Sequence, residues 1–448
     1  MKRKNYMKRL FNEQKYQEVI NNLIKVEIEK LDSESLRYLS ISLFKTKKLS
    51  LCIKVCKVLE NHTNLMDYFI YEMLAECYWL RNDLECSQFY FEKALELNPK
   101  LLSAKYKNFI LKYRLGKSLD IFELREVEEI AKKNGKADLL KILCCIKFKE
   151  GINTSLLKDM SYAIELSDKN TASDYLVLAE LHKNAGNFTS SHRYKQYFYH
   201  SLFKSDFIDN KENNLFVTLS SNMDFILTKY PFTGDRLNVV DLSESYYMLS
   251  IESIAKKIIE LQKIKQYEKI SIVGLSKGGT AAIMLINLLQ EHLPEVVIKA
   301  VACSPQIALW PFNQNLSVLS YRSLAEKIAC NPILEKLILK SNEYIKFKIK
   351  DGNLLSIFYG NKFLMDVNEI NKISDCENVD IIKLNFSGHA TGIPLTIPEN
   401  KTKEELRGKY ERLVVDNDSQ ELDGNIVDIL DEIYAIYTNP EMRLYKFL

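Results

Sequence analysis

The stretch Ile270-Ser271-Ile272-Val273-Gly274-Leu275-Ser276-Lys277-Gly278-Gly279-Thr280-Ala281-Ala282-Ile283 constrains the fold of this chain more than any other. A β-branched apolar run leads into Gly-x-Ser-x-Gly, and a run of small, helix-forming residues leads out of it. Such a pattern reads as strand, sharp turn and helix, with the serine at the apex of the turn and its hydroxyl exposed. Gly274 and Gly278 suit the turn because a Cβ at either position would crowd it or the neighbouring strand. A strand that ends on an exposed serine nucleophile calls for an α/β domain in the C-terminal half.

The flanking sequence agrees. Apolar runs at 215–219, 237–241, 269–273, 296–303, 354–359 and 381–386 predict strands. Helical patterns at 249–265, 280–291, 320–347, 402–413 and 425–437 separate or follow them. Strands alternating with helices imply a mostly parallel sheet covered on both faces. A polar junction at Asp209-Asn210-Lys211-Glu212-Asn213-Asn214 precedes the first of these strands, so the α/β domain is expected over 210–448.

A serine nucleophile needs a neighbouring base, usually histidine. The C-terminal half holds two, His292 and His389. His292 ends the helix that begins at the elbow, and a twelve-residue helix is about 18 Å long. His389 lies in Ser387-Gly388-His389, directly after the last predicted strand, and is the candidate base. The acid should follow the penultimate strand and hold the imidazole tautomer. Asp366 is the first choice there, with Glu369 and Asp375 as competitors and a helix cap as its alternative role. One oxyanion donor is expected from the Lys277 amide. The other is expected from the loop after the first strand, at Ser221, Asn222 or Met223, which lacks a glycine-rich motif.

Residues 1–205 are different: apolar residues recur at helical spacing with hardly any Pro or Gly. Tyr71, Leu74, Ala75, Tyr78, Ser87, Phe91, Ala94 and Pro99 outline one helical hairpin. Small residues let its helices approach, aromatics fill the gaps, and Pro99 ends the second helix. Weaker copies run through Leu36, Leu39, Leu43, Cys52, Cys56 and Leu59, and through Tyr175, Leu178, Ala179, Gly186, Asn187 and Phe188. Gly116 and Gly151 mark turns in the degenerate segment between. About five hairpins stacked as a short solenoid are expected, serving either as a binding surface or as a prop.

Composition narrows the function classes. Among 448 residues, 62 are Lys or Arg and 59 Asp or Glu, a net charge of +3, which gives nucleic-acid binding no support. The nine cysteines are scattered in apolar segments without C-x-x-C spacing, as buried thiols in a reducing compartment would be. Residues 1–18 are basic but contain no apolar core of a signal peptide, and no apolar run is long enough to span a bilayer. The expectation is a cytoplasmic protein with no transmembrane segment, with peripheral contact at the inner membrane face left open. His182, His192 and His200 have no carboxylate or thiolate cluster beside them, so no metal is expected.

The spacing around residues 71–99 resembles a tetratricopeptide repeat, and roughly the first 200 residues resemble a domain of such repeats. Residues 210 to about 440 resemble the α/β-hydrolase superfamily, with elbow, acid loop and histidine loop in that family's order. Within it, Gly-x-Ser-Lys-Gly-Gly, the Gly-x-x-x-x-x-Asp loop and Ser-Gly-His look like bacterial capsule or surface-polysaccharide O-acetyltransferases; the attached repeats depart from the simplest of these. The resemblance implies a Ser276–Asp366–His389 triad, acetyl-coenzyme A as acyl donor with no tightly bound cofactor, an acetyl-serine intermediate and a polysaccharide or other glycan acceptor. It leaves the repeats to hold polymer or a protein partner. Lys277, Lys362 and Arg236 are expected on loops near the carboxyl ends of strands, facing coenzyme A phosphates or an anionic polymer, or else simply solvated. Tyr246 and Tyr247 are expected either to stack on sugar or to pack in the core. The competing functions are a serine esterase or deacylase of the same fold and a non-catalytic scaffold.

Overall fold

The computed structural model describes residues 2–60, 66–81, 83–117, 120–152, 155–313, 315–316, 318–373, 376–397, 401–406 and 429–448. It begins with helices α1 (Lys2–Asn12), α2 (Tyr16–Leu23), α3 (Ser33–Lys45), α4 (Leu49–Glu60), α5 (Tyr68–Leu80) and α6 (Leu84–Leu97). These are followed by α7 (Leu102–Arg114), α8 (Ile121–Lys133), α9 (Ala137–Lys149), α10 (Leu156–Leu166), α11 (Ala172–Asn184) and α12 (Phe188–His200). This is a helical-repeat region, and the anticipated turn glycines fall between its helices: Gly116 and Gly151 take φ of 69° and 71°, which a Cβ disfavours.

The chain divides into two compact units, one taken by Met1–Leu143, the other by Cys144–Asn417 with the C-terminal residues. That division falls inside α9, so it does not coincide with the change from helical repeats to sheet. In the first unit the hairpin α5–α6 shows why its residues recur. Ala75 and Ala94 are fully buried, and Ser87, also buried, donates its hydroxyl to the Ala75 carbonyl at 2.8 Å. Tyr78 stacks on Tyr90 at 5.5 Å between ring centroids. Asp67 and Asp83 cap the two helices by accepting the amides of Ile70 and Cys86. Phe91 is 0 % exposed in the core of this unit. Phe91→Ala is therefore expected to destabilise the unit by about 3–5 kcal/mol. The test is urea unfolding followed by helical circular dichroism, and an unmoved transition would contradict it.

In the second unit α11 and α12 lead into the sheet. Ala172, Phe198 and Leu202 pack with Phe203, Leu249 and Leu337. The strands are β1 (Phe203–Ile208), β2 (Asn214–Leu219), β3 (Asp235–Asp241), β4 (Lys269–Leu275), β5 (Val297–Cys303), β6 (Leu354–Gly360) and β7 (Val379–Leu384). Their order is β1-β3-β2-β4-β5-β6-β7, with β1 antiparallel to β3 and every other pairing parallel. The elbow strand β4 is central. Strand β1 has no counterpart among the sequence expectations, because Lys204, Ser205 and Asp206 interrupt its apolar residues. It is an edge strand with alternating half-buried and exposed positions.

Alternate residues of each central strand serve opposite faces. Leu215, Val217, Ile270 and Ile272 join one core with helices α13 (Ile251–Lys265) and α14 (Lys277–His292). Phe216 and Val273 join the other with Phe358, Phe386, Ile433 and Leu448. The expected helix at 320–347 is two, α15 (Leu319–Cys330) and α16 (Pro332–Asn342). Asn331 caps the second by accepting the amides of Ile333 and Leu334, and Pro332 occupies its first turn, where no N–H is needed. Short helices α17 (Leu364–Ile370) and α18 (Gly392–Thr396) and the helix α19 (Ile429–Thr438) follow, and two 3₁₀ turns, Pro440–Met442 and Leu444–Phe447, end the described chain. The expected helix at 402–413 lies mostly outside the described residues. Sheet order, the lone antiparallel edge strand and helices on both faces are those of an α/β-hydrolase fold. Parallel pairing sets the carboxyl ends of β2 to β7 along one edge of the sheet, and the loops that carry the chemistry leave from there.

Candidate active site

The elbow is as tight as its glycines imply. Ser276 follows β4 with φ 53° and ψ −113°, an unfavourable conformation for a residue with a Cβ. Its amide donates to the Cys303 carbonyl at 2.8 Å, which ties the apex to the end of β5. A Cβ on Gly274 would lie 1.8 Å from the Gly278 carbonyl oxygen, and one on Gly278 would lie 2.0 Å from the Leu219 carbonyl oxygen. The turn is therefore closed against itself and against the end of β2.

Ser276 Oγ lies 2.7 Å from His389 Nε2, and His389 Nδ1 lies 2.6 Å from Asp366 Oδ1. The structure thus brings together three residues that are far apart in the chain. Crossing loops bring this about. Gly360, at the end of β6, has the carbonyls of Phe386 and Gly388 where a Cβ would be 2.8 Å away, so the histidine loop passes directly over it. The amides of Asn361 and Lys362 donate to Leu384 and Phe386, which joins the acid loop to the histidine loop. Phe363 packs its ring 5.6 Å from the imidazole. Asp366 is 2 % exposed inside α17, whose N-cap is Phe363, so it is not a helix cap. With Asp366 ionised, the pairing assigns the proton to Nδ1 and leaves Nε2 to accept from Ser276.

Two competitors of these residues, His292 and Glu369, lie elsewhere. His292 is exposed at the far end of α14. Glu369 is 1 % exposed, and its carboxylate accepts the amides of Ile307 and Ala308 at 2.7 and 3.0 Å and the Asn313 side chain at 2.6 Å. It holds the loop after β5 and does not reach the imidazole. Asp375 lies outside the described residues.

The loop after β2 borders a cavity of about 330 Å³ lined by Ser220, Ser221, Asn222, Met223, Asp241, Glu244, Lys277, Ser320 and Ser323. The Asn222 amide donates to Ser220 Oγ at 3.1 Å, so it is already engaged. Tyr247 donates its hydroxyl to the Ser220 carbonyl at 2.8 Å and so fixes the peptide plane that carries the Ser221 amide. Burial holds the Lys277 ammonium below the ordinary lysine range, against the charges of Asp241 and Glu244, and it sits 5.3 Å from the Tyr246 ring centroid. Burial also raises the Asp241 carboxyl, although this group accepts the amides of Ser243, Ser245 and Tyr247. That fold-back turns the chain through positive φ at Glu244, Tyr246 and Tyr247.

Among the expected binding residues the placement of Arg236 needs correction, and Tyr246 and Tyr247 take the alternative of packing in the core. Tyr246 is 1 % exposed and packs edge-on against Tyr321, so it presents no open face for a sugar; Tyr247 is fully buried. Arg236 is not on a carboxyl-end loop. It is the second residue of β3, at the opposite edge of the sheet, and its guanidinium donates to the carbonyls of Thr228 and Tyr230. Lys362 does follow β6, but its ammonium pairs with Glu432 at 2.6 Å, and Glu432 also accepts the amide and hydroxyl of Ser387. That pair anchors the histidine loop.

The loop after β5 supplies a residue that sequence reasoning missed. Gln306 is 1 % exposed, and its Nε2 lies 2.9 Å from His389 Nε2 and 3.4 Å from Ser276 Oγ. The only signal available in the sequence was its position, in Ser304-Pro305-Gln306 just past a strand that neighbours the elbow strand. Among the described residues no group of His, Cys, Asp or Glu is arranged to hold a metal, and no helix is long and apolar enough to cross a membrane.

No family model and no curated protein matches the sequence. Solved structures resemble parts of it. The C-terminal part of a TPR repeat-containing protein from Cytophaga hutchinsonii is 10% identical over 65% of this chain and 95% of that one, with a TM-score of 0.35. MamA from Desulfovibrio magneticus RS-1 is 14% identical over 38% of this chain and 93% of its own, with a TM-score of 0.32. A lipase-esterase related protein from Clostridium acetobutylicum is 17% identical over 47% of this chain and 98% of its own, with a TM-score of 0.28.

Proposed function

We propose that the chain is a serine acyltransferase that forms an acyl-enzyme on Ser276 and passes the acyl group to a hydroxyl of a glycan. The observation that carries this reading is the continuous hydrogen-bonded path from Ser276 Oγ through His389 to the buried Asp366. His389 Nε2 takes the hydroxyl proton as Ser276 attacks the acyl carbon, then returns it to the departing thiol or alkoxide. Asp366 keeps the tautomer and stabilises the imidazolium that forms. The amides of Lys277 and Ser221 are the donors assigned to the oxyanion.

Transfer to a glycan is supported by the hydroxyl, amide, carboxylate and ammonium groups on the wall of the cavity beside the elbow, which can hydrogen-bond sugar hydroxyls. Acetyl-coenzyme A is the acyl donor that the motif resemblance implies, and the helical repeats are assigned to hold the polymer or a protein partner. The test is to incubate the protein with acetyl-coenzyme A and map acetylation by mass spectrometry. Acetyl on Ser276 that persists in buffer and discharges when a polysaccharide acceptor is added is the expected result. Rapid discharge to water with no acceptor-dependent product would make the protein an esterase. No labelling of Ser276 by a fluorophosphonate would remove serine catalysis altogether.

A further inference from the structure

Gln306 has a main chain pinned from two sides. Its amide donates to Thr280 Oγ1 at 3.0 Å, and its carbonyl accepts from the same hydroxyl at 2.9 Å, on the first turn of α14. The next two amides, of Ile307 and Ala308, are held by Glu369. The side-chain amide is therefore delivered to one place, above the Ser276–His389 pair. Its orientation is also set. Gln306 Nε2 donates to the Ser304 carbonyl at 3.2 Å, so exchanging the amide nitrogen and oxygen would press two acceptors together. Ser304 itself has φ 46°, with its amide on the Phe358 carbonyl and its hydroxyl 2.8 Å from Thr391 Oγ1, which fixes where its carbonyl points. The Gln306 Oε1 atom is buried without a hydrogen-bond partner in the structure. A protein tolerates such an orphan where the other end of the amide is needed.

We infer that Gln306 is a positioning residue that caps the basic nitrogen of His389, donating an N–H to the lone pair that must take the Ser276 proton. Neutral imidazole has one lone pair at Nε2, and two donors, the Ser276 hydroxyl and the Gln306 amide, converge on it. The cap favours the neutral ring, because in the imidazolium the two N–H groups would face each other. It thus holds Nε2 as an acceptor facing Ser276, and it yields when the serine proton crosses to that nitrogen. This inference rests on the catalytic reading of Ser276 and His389 given above.

Other charges around the imidazole are accounted for. Asp366 faces Nδ1 from α17, and Glu369 on the same helix is engaged by loop amides and paired with Lys372. Cys303, at the end of β5, is pushed up to about 12 by burial and stays neutral. Lys277 lies over Tyr246, and Lys362 is paired with Glu432. Substitution of Gln306 leaves all of these in place.

The test is the pH dependence of fluorophosphonate labelling of Ser276 in the full-length wild type, Gln306→Leu and Gln306→Glu, with Ser276→Ala as the blank. Removing the cap makes protonation of the ring easier. In Gln306→Leu the acid limb of the labelling rate is therefore expected to move up by about half to one pH unit, the scale of one hydrogen bond. Gln306→Glu, which offers the imidazolium an acceptor, should move it further in the same direction. The ring signals of His389, identified by their loss in His389→Gln, are expected to shift their titration midpoint in parallel by nuclear magnetic resonance, a readout that needs no activity. An unmoved or lowered midpoint in Gln306→Leu overturns the inference while leaving the acyl-serine reading intact. Wild type that titrates with the expected difference from Gln306→Leu but never labels at Ser276 supports the cap and overturns the acyl-serine reading.

Discussion

Gly278→Ala is expected to leave no folded α/β unit under native conditions. The new methyl would sit 2.0 Å from the Leu219 carbonyl oxygen and 2.6 Å from its carbon, both backbone atoms of a central strand. Nothing flexible lies in its way to give ground. Leu219 is paired with Val239 on one side and with Gly274 on the other, so moving it opens two ladders at once. Overpacking of a side chain costs about 1–3 kcal/mol where neighbours can adjust. A collision with a doubly paired backbone exceeds that range and consumes much of the about 5–15 kcal/mol that stabilises a domain. Gly274→Ala is expected to behave alike, since its Cβ would meet the Gly278 carbonyl oxygen at 1.8 Å. Gly352→Ala is the control: its φ is +84° but no atom lies within 4 Å, so only the left-handed backbone penalty of about 1–2 kcal/mol applies. Urea unfolding and limited proteolysis of the three variants provide the measurement. A Gly278→Ala protein as stable as Gly352→Ala would mean that the elbow is not closed against β2.

That contrast also explains what could be read from the sequence alone. The elbow was legible because its constraint is local: two glycines, a serine and the strand–helix change lie within a dozen residues. The proximity of Ser276, His389 and Asp366 was legible through chain order, since each follows a strand whose end lies on the same edge of the sheet. The repeat hairpin was legible because Ala75, Ser87 and Ala94 recur where helices touch. Strand β1 was not, because Lys204, Ser205 and Asp206 belong to an edge whose outer side is solvated. Arg236 adjoins the amino end of the predicted strand 237–241, not its carboxyl end, and β3 takes in both Asp235 and Arg236, whose guanidinium turns back onto the carbonyls of Thr228 and Tyr230. Tyr246 is an aromatic residue shortly after a strand, which in the sequence suits a sugar platform and a core position equally. What buries it is the Asp241 carboxylate, which gathers the amides two, four and six residues on and folds the loop inward, together with the ring of Tyr321 from a distant part of the chain. Gln306 carries no motif at all. Its position depends on Thr280 from one element and Glu369 from another, which meet only once the sheet is assembled.

The larger functional effect is expected from Asp366→Asn, at about a 10³- to 10⁴-fold loss in kcat with little change in KM. In a serine protease triad the same exchange of aspartate for asparagine keeps the geometry but lowers kcat by ~10⁴, because the wrong imidazole tautomer is held. That reasoning applies to the atoms here. Asp366 Oδ1 receives the His389 Nδ1 proton at 2.6 Å, while Oδ2 is buried without a hydrogen-bond partner in the structure. An asparagine must put its NH₂ group in one of those two places. Set at the Oδ2 position, the NH₂ is a buried donor without an acceptor, which costs about 1–3 kcal/mol. Set against Nδ1, it makes that nitrogen the acceptor and drives the proton to Nε2, where the N–H donates to Ser276 Oγ instead of taking its proton and opposes the Gln306 amide. The second arrangement satisfies the asparagine and removes the base. The cavity beside Lys277, where the proposed function puts the substrate, is lined by neither residue of this pair, so KM is expected to hold. Glu369→Gln separates this from a general loosening of α17. It lies three residues on along the same helix and holds the loop after β5, so it should lower stability and displace Gln306 without reversing the tautomer. Rates of Ser276 acylation for both variants, measured beside their thermal midpoints, decide the matter. An Asp366→Asn enzyme that keeps more than a tenth of the wild-type rate would show that the imidazole is oriented by Phe363 and the crossing loops alone.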